Sequence, residues 1–360
     1  MKKETFISLK DSQNLYGIAI LLMIFHHCFC IPDRLGYNYI PVFFNFEMEA
    51  RLAYLGKLCV AIYVFVTGYA LAQKRNSEKA FVKHVYHDIK TSICMLIKLY
   101  SKLWFVCLIF LPIGFLFFHQ PFVLKNIIKD LFTGYGGYNG EWWYVKQYVY
   151  FVCIYPVIET FFYYFGNKDT QKKTVLIVCA GIVFSILLRL FFWKQFIQLL
   201  FLKVFIHLKE IYMLIFLSAY FIGKFRIYEY IHTRTKDSKM ISLLVIVLIL
   251  LIRWKLVVNP AGGELDILIT PFFIYPLVLL IKDSRVLSFF GKYSTYMWLT
   301  HTFLIYYYFQ KIILLPRVSI LIYIWSVLLS LLTAMLMDTL EKKLKIHVLV
   351  KQITKKIQPL

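Results

Sequence analysis

The stretch AILLMIFHH, residues 19–27, is a run of apolar side chains that ends in two imidazoles, His26 and His27. At neutral pH a histidine can take a proton from a hydroxyl or carry an acyl group as a nucleophile. An ionisable side chain in so apolar a run is costly in lipid and is a functional candidate for that reason. Neighbours on a helix point about 100° apart. The pair is therefore expected to split, one imidazole facing the helix-bundle interior and the other packing or meeting headgroups, and a shared metal is not expected. Tyr16 lies eleven residues before His27. Eleven residues turn about three full turns plus about 20°, which puts both side chains on one face about 16 Å apart along the axis. Such a face could line a pocket for a long ligand.

Three further groups of residues could do chemistry. Ser294, Trp298 and His301 fall at i, i+4 and i+7, one face of a helix. His301 reads either as a group orienting a substrate or as a hydrogen-bonded interhelical histidine. Lys98 and Lys102 stand one turn apart and are placed to meet phosphates, with snorkelling to the interface as the alternative for Lys98. Lys83 and His84, in the preceding basic stretch, are weaker candidates of the same kind. In YGGYNGEWWYVKQ, residues 135–147, Glu141, Trp142, Trp143, Lys146 and Gln147 combine aromatic faces with polar groups. The tryptophans also suit an interfacial aromatic belt.

The elements that position these residues follow from composition. The chain has 360 residues, is 60% hydrophobic and has a mean hydropathy of +0.68. Soluble domains use about 45–50% apolar residues. Apolar stretches of about 18–25 residues recur along the chain, each long enough to cross a bilayer as a helix. The period-2 alternation of an outer-membrane barrel is absent. The expected fold is all-α, a polytopic integral membrane protein of about ten transmembrane helices in one domain over 1–360. The spans are expected near 14–32, 52–72, 92–118, 142–165, 174–193, 199–223, 240–258, 266–281, 294–313 and 317–337. The sixth is interrupted by Lys203, His207, Lys209 and Glu210, and reads equally as an interfacial helix followed by a span from Ile211. About 25 of the 41 Lys and Arg residues fall in segments on the side of the N-terminus, so both termini are expected in the cytoplasm.

The net charge of +22 is accounted for by topology and by attraction to anionic lipid, not by nucleic acid. The seven cysteines lie mostly inside apolar spans, and Cys28 and Cys30 form only a C-x-C, so no zinc site is expected. The first apolar run continues to Ile31 without a small-residue cleavage site and reads as a span, not a leader. Pro112, Pro156, Pro271 and Pro276 should kink helices and open cavities between them.

LYGIAILLMIFHH (15–27) resembles the first span of the membrane-bound acyltransferase 3 family, written approximately L-R-G-I-A followed by apolar residues and a histidine. His27 stands at the histidine position and Tyr16 at the arginine position, a departure on the donor side. LGKLCVAIYVFVTGYALA (55–72) is similar to the second span, with Gly56, Val60, Phe65, Gly68 and Tyr69 matching and Thr67 in place of Ser. NGEWWYVKQYVYFVCIYPVIE (139–159), FLSAYFIGKF (216–225) and FFGKYSTYMWLTHTF (289–303) resemble later segments, the last through Gly291, Ser294, Leu299 and His301.

The resemblance implies acyl transfer from a cytoplasmic thioester, commonly acetyl-CoA, to a hydroxyl of a cell-surface glycan or its lipid-linked precursor. On that reading His27 and His301 are the catalytic candidates. Tyr16, Lys98 and Lys102 face the donor. Glu141, Trp142, Trp143, Lys146, Gln147 and Ser294 face the acceptor. Acyl-CoA is a co-substrate, no cofactor is tightly bound, and anionic lipids and a homo-oligomer are compatible partners. The implied location is a bacterial inner membrane. Rival readings are a transporter or flippase of lipid-linked glycans, a membrane glycosyltransferase or polymerase using Glu264 and Asp266, and an inactive relative.

Overall fold

The computed structural model describes residues 5–74, 80–132, 136–164, 210–256 and 265–357. Among them the regular structure is helical, apart from one isolated bridge between Ile40 and Val318. Helix α1 (Leu9–Phe29) starts at a capping box. The Asp11 carboxylate accepts from the Ser8 amide at 2.9 Å and the Ser8 hydroxyl accepts from the Asp11 amide at 3.2 Å. Helices α2 (Phe46–Leu55) and α3 (Leu58–Ala72) form one apolar run bent at Gly56 and Lys57. Then follow α4 (Phe81–Phe117), the amphipathic α5 (Leu124–Phe132) and α6 (Trp143–Tyr164). After them come α7 (Glu210–Lys224), α8 (Ile227–Arg234), α9 (Lys239–Leu256) and α10 (Leu265–Ile281). Helix α11 (Arg285–Thr302) passes into a π-helical turn, Phe303–Tyr307, and the chain ends with α12 (Ser319–Lys343) and the basic amphipathic α13 (Ile346–Ile357).

Among the described residues, three runs have both the length and the apolarity to cross a membrane: Phe46–Ala72, Phe81–Phe117 and Ser319–Lys343. Tyr212–Lys224 and Leu265–Ile281 are shorter apolar helices. The expected span 174–193 and the first part of 199–223, up to residue 209, lie outside the described residues; the rest of the latter falls in the helix Glu210–Lys224. The expected ninth span, 294–313, begins too late and runs on too far. Its helix starts at Arg285, where the Ser284 hydroxyl accepts from the Leu287 amide at 3.1 Å, and ends in the π-turn at Tyr307. Hydropathy finds an apolar run, whereas a cap fixes where hydrogen bonding begins. The basic stretch around Lys83 and His84 forms the first turns of α4.

The site depends on how α1 meets α11. A Cβ on Gly17 would lie 2.0 Å from the carbonyl oxygen of Leu287, and one on Gly291 would lie 1.9 Å from that of Gln13. The two backbones therefore touch, and only hydrogen side chains fit between them. Gly17 against Leu287 at one end and His27 against His301 at the other show that the helices run parallel. Asn14, fully buried, adds a polar clamp: its amide nitrogen donates to the carbonyls of Ile281 (2.8 Å) and Lys282 (3.1 Å) at the end of α10. One buried ion pair lies nearby. Arg253, completely enclosed, donates to both oxygens of Asp266 at 2.8 and 3.1 Å.

Candidate active site

The parallel contact carries the His27 and His301 rings to a centroid separation of 5.0 Å. His301 is 1% exposed. Its Nδ1 sits 3.1 Å from the Met297 carbonyl and 2.8 Å from that of Trp298. Carbonyls only accept, so Nδ1 carries the proton and Nε2 keeps its lone pair. That Nε2 is buried and has no hydrogen-bond partner among the described residues.

His27 is fixed from the other side. The Tyr306 hydroxyl donates to the backbone carbonyl of His27 itself, which leaves its oxygen free to accept from His27 Nδ1, 3.3 Å away. The same logic as for His301 makes Nε2 the basic nitrogen of His27. Arg34 lies over the Tyr306 ring, 4.9 Å from its centroid, and pairs with Glu141 at 2.6 Å. The chain Glu141–Arg34–Tyr306–His27 thus joins the loop before α6, the loop after α1 and the π-turn.

Two cavities meet here. One, of about 250 Å³, is lined by Tyr16, Tyr63, Thr67, Lys98, Lys102, Tyr148 and Ser294, with Met23, Tyr144 and Trp298 at one end. The other, of about 130 Å³, is lined by His26, His27, Lys57, Glu141 and Trp143, again with Met23, Tyr144 and Trp298. Those three side chains form the wall between them. The first cavity lies toward the N-terminal half of α1 and the second toward its C-terminal end, so Tyr16 and His27 line neighbouring cavities on either side of that wall.

Several sequence expectations need adjusting. His26 and His27 both line the smaller cavity, where one was expected to face the interior and the other to pack or meet headgroups. A hydrogen bond of 2.9 Å from His26 Nδ1 to the Ala53 carbonyl turns its ring toward α2, and the wide angle between neighbours is absorbed by ring orientation. Ser294, expected on the acceptor side, lines the cavity of Tyr16 and the lysines, its hydroxyl donating to the Gly291 carbonyl at 2.9 Å. Trp142 is fully enclosed, its indole N–H donating to the Leu299 carbonyl at 3.0 Å and its ring edge-on to Phe303. It braces α11 and does not reach either cavity. Lys146 lies 5.9 Å from the Tyr150 ring centroid and Gln147 is buried within α6; neither lines a cavity wall. Lys102 pairs with Glu341 at 3.7 Å and sits over Tyr296, so it is tethered to α12 as well as facing the cavity.

Arg34, Lys57 and Tyr306 were not singled out in the sequence. Tyr306 is five residues after His301, and on an α-helix i+5 points to another face. The π-turn, with the Tyr308 amide bonded to the Phe303 carbonyl at 2.8 Å, changes that register. Nothing in the aromatic run FLIYYY signals it.

Two other features fall outside the site. His84, Asp88 and Glu159 place ligand atoms within 4.8 Å of one another, a spacing that could hold a metal ion. Lys224, however, donates to both oxygens of Glu159 at 2.9 and 2.6 Å, and Tyr155 donates to Asp88 at 3.3 Å. The cluster is built as a buried ion-pair network. A groove of about 890 Å³ runs along α4 from Ile93 to Phe115, closed by α5 and α13, with no acid, histidine or lysine in its wall.

The family model described as an acyltransferase domain, acyltransferase 3, matches residues 14–339, nearly the whole chain. No curated protein and no solved structure matches.

Proposed function

The chain belongs to the acyltransferase 3 family, and on that premise we propose that it moves an acetyl group from acetyl-CoA to a sugar hydroxyl of a cell-surface polysaccharide or its lipid-linked precursor. The observation that carries this reading is the pair of neighbouring cavities that share Met23, Tyr144 and Trp298: the larger bears Lys98 and Lys102, the smaller the His27 imidazole with its fixed basic nitrogen. The CoA phosphates are held at Lys98 and Lys102, and the pantetheine arm runs past Tyr16, Tyr63 and Ser294 toward His27. Tyr16, in the place of the family's arginine, offers a hydroxyl and a ring stacked on Tyr63 at 5.3 Å instead of a charge. The acceptor enters the smaller cavity beside Glu141, Trp143 and Lys57.

A sugar hydroxyl is a weak nucleophile and needs a base within hydrogen-bond reach. His27 Nε2 takes its proton, the hydroxyl oxygen bonds to the thioester carbon, and the C–S bond breaks. The proton returns to the sulfur and CoA leaves as the thiol. If His27 instead carries the acyl group, the same nitrogen attacks first and the sugar second. His301, packed against His27 with its own lone pair buried, supports the imidazole as it gains charge. In this reading the chain is a single domain crossing a bacterial inner membrane about ten times, both termini in the cytoplasm, with the donor cavity open to that side. Asp266, the acid a lipid-phosphate-sugar transferase would need, is taken by Arg253, which disfavours the glycosyltransferase reading.

The test is purified protein in detergent with radiolabelled acetyl-CoA and extracted envelope glycan. Label reaching glycan with wild type, and falling about 10²-fold or more with His27→Ala, supports the proposal. Full transfer by a folded His27→Ala protein removes His27 from the chemistry, and no transfer by folded wild type overturns the acyltransferase reading.

A further inference from the structure

The wall between the two cavities carries an inference about substrate choice, which rests on the acyltransferase reading. Met23 on α1, Tyr144 on α6 and Trp298 on α11 line both chambers, so any acyl group travelling from the lysine-bearing cavity to His27 passes among them. These side chains differ in how readily they yield. Tyr144 and Trp298 are buried and meet edge-on at 5.6 Å between ring centroids. Met23, 5% exposed, is the single flexible member; its unbranched thioether can turn aside where the rings cannot. Beyond the wall the space is small. The smaller cavity measures about 130 Å³ against about 250 Å³ for the larger, so it leaves less room for a long acyl chain beside the attacking hydroxyl.

We propose that Met23, Tyr144 and Trp298 form a gate that limits the transferred acyl group to about two or three carbons, with Met23 as its adjustable element. The larger cavity, with about twice the volume of the smaller, does not set this limit. The rings of Tyr144 and Trp298 fix the width, and Met23 fixes whether a further methylene can pass.

The experiment compares acetyl-, butyryl- and hexanoyl-CoA as donors to the same glycan. It uses wild type, Met23→Ala and Met23→Phe, each checked for a monodisperse profile in detergent. Wild type should favour acetyl over hexanoyl by at least 10²-fold in kcat/KM, in line with about 10–200-fold for each misplaced methylene in an apolar pocket. Met23→Ala should narrow that preference at least tenfold, mostly through gain with the longer donors. Met23→Phe should close the passage: acetyl transfer falls at least tenfold while binding of desulfo-CoA to the outer cavity is unchanged. A folded Met23→Ala protein with the wild-type chain-length ratio, or a wild type that uses all three donors alike, overturns the gate and leaves the acyltransferase reading standing. Absence of transfer from every donor by folded wild type overturns both.

Discussion

Removing the Tyr306 hydroxyl tests the geometry most directly. Tyr306→Phe keeps the ring under Arg34 and the packing of the π-turn, and deletes one oxygen. That oxygen donates to the His27 carbonyl and accepts from His27 Nδ1 at 3.3 Å. Without it, a buried imidazole N–H loses its acceptor, and the partner loss costs about 1–3 kcal/mol. The imidazole can recover part of that by moving its proton to Nε2, but this form has no lone pair for the substrate. Either route raises the barrier by about 1.4–2.8 kcal/mol, a 10- to 100-fold drop in kcat. KM for acetyl-CoA should hold, because Tyr306 touches neither Tyr16 nor the lysines and lines neither cavity.

The assay is label transfer per unit of monodisperse protein, so a loss of folded material does not register as a loss of rate. A merely structural tyrosine would lower the yield and leave the specific rate alone. Tyr306→Phe within twofold of wild type in kcat refutes the assignment of the His27 tautomer and the relay from Arg34 with it. A pH–rate profile adds a second reading: a histidine free to exchange tautomers loses rate across the whole plateau instead of only on one limb.

Two predictions concern the scaffold. Arg253→Met leaves the Asp266 carboxylate enclosed without its cation, which should cost about 3–5 kcal/mol and show as a lowered thermal midpoint in detergent. Arg253→Met with Asp266→Leu should recover most of it, and an unchanged midpoint in the single variant would contradict the pairing. Asp130, on α5 outside the spans, is buried beneath the amide of Tyr138, and burial lifts its carboxyl from 3.8 to about 6. A raised folded value means that the native state holds the proton more tightly, so its stabilisation is complete below about pH 4 and disappears as pH rises through about 6. The thermal midpoint of wild type relative to Asp130→Asn should therefore improve between pH 7.5 and pH 5; a constant difference would show that Asp130 titrates normally.

Most of the helices and some of the site could be read from the chain because lipid imposes simple rules. A histidine at the end of an apolar run stands out whatever the fold, and the turn of 100° per residue relates Tyr16 to His27 without any tertiary knowledge. Those arguments stop where hydrogen bonding, not hydropathy, sets the geometry. Ser284 starts α11 nine residues before the apolar run, and the π-turn brings Tyr306 to His27 from a position an α-helix would face elsewhere. Trp142 is held by the Leu299 carbonyl of α11, a contact that depends on which helix lies next to it, and the face that Ser294 shares with Trp298 and His301 does not by itself say which cavity it lines.

The glycines show how the two kinds of information combine. Gly17 and Gly291 belong to the stretches that resemble the family, yet neither touches a cavity. Each lies under a carbonyl of the other helix at a distance no Cβ could share. Because α1 and α11 run parallel from that contact, any widening there is carried along both axes to the far end, where the His27 and His301 rings are 5.0 Å apart. A methyl group at either glycine forces the backbones to separate, and overpacking of this kind costs about 1–3 kcal/mol. The larger consequence is geometric. The histidine pair and the Met23 and Trp298 side chains of the proposed gate all lie on these two helices, so a glycine contact some three turns away sets the distances on which the proposed chemistry depends.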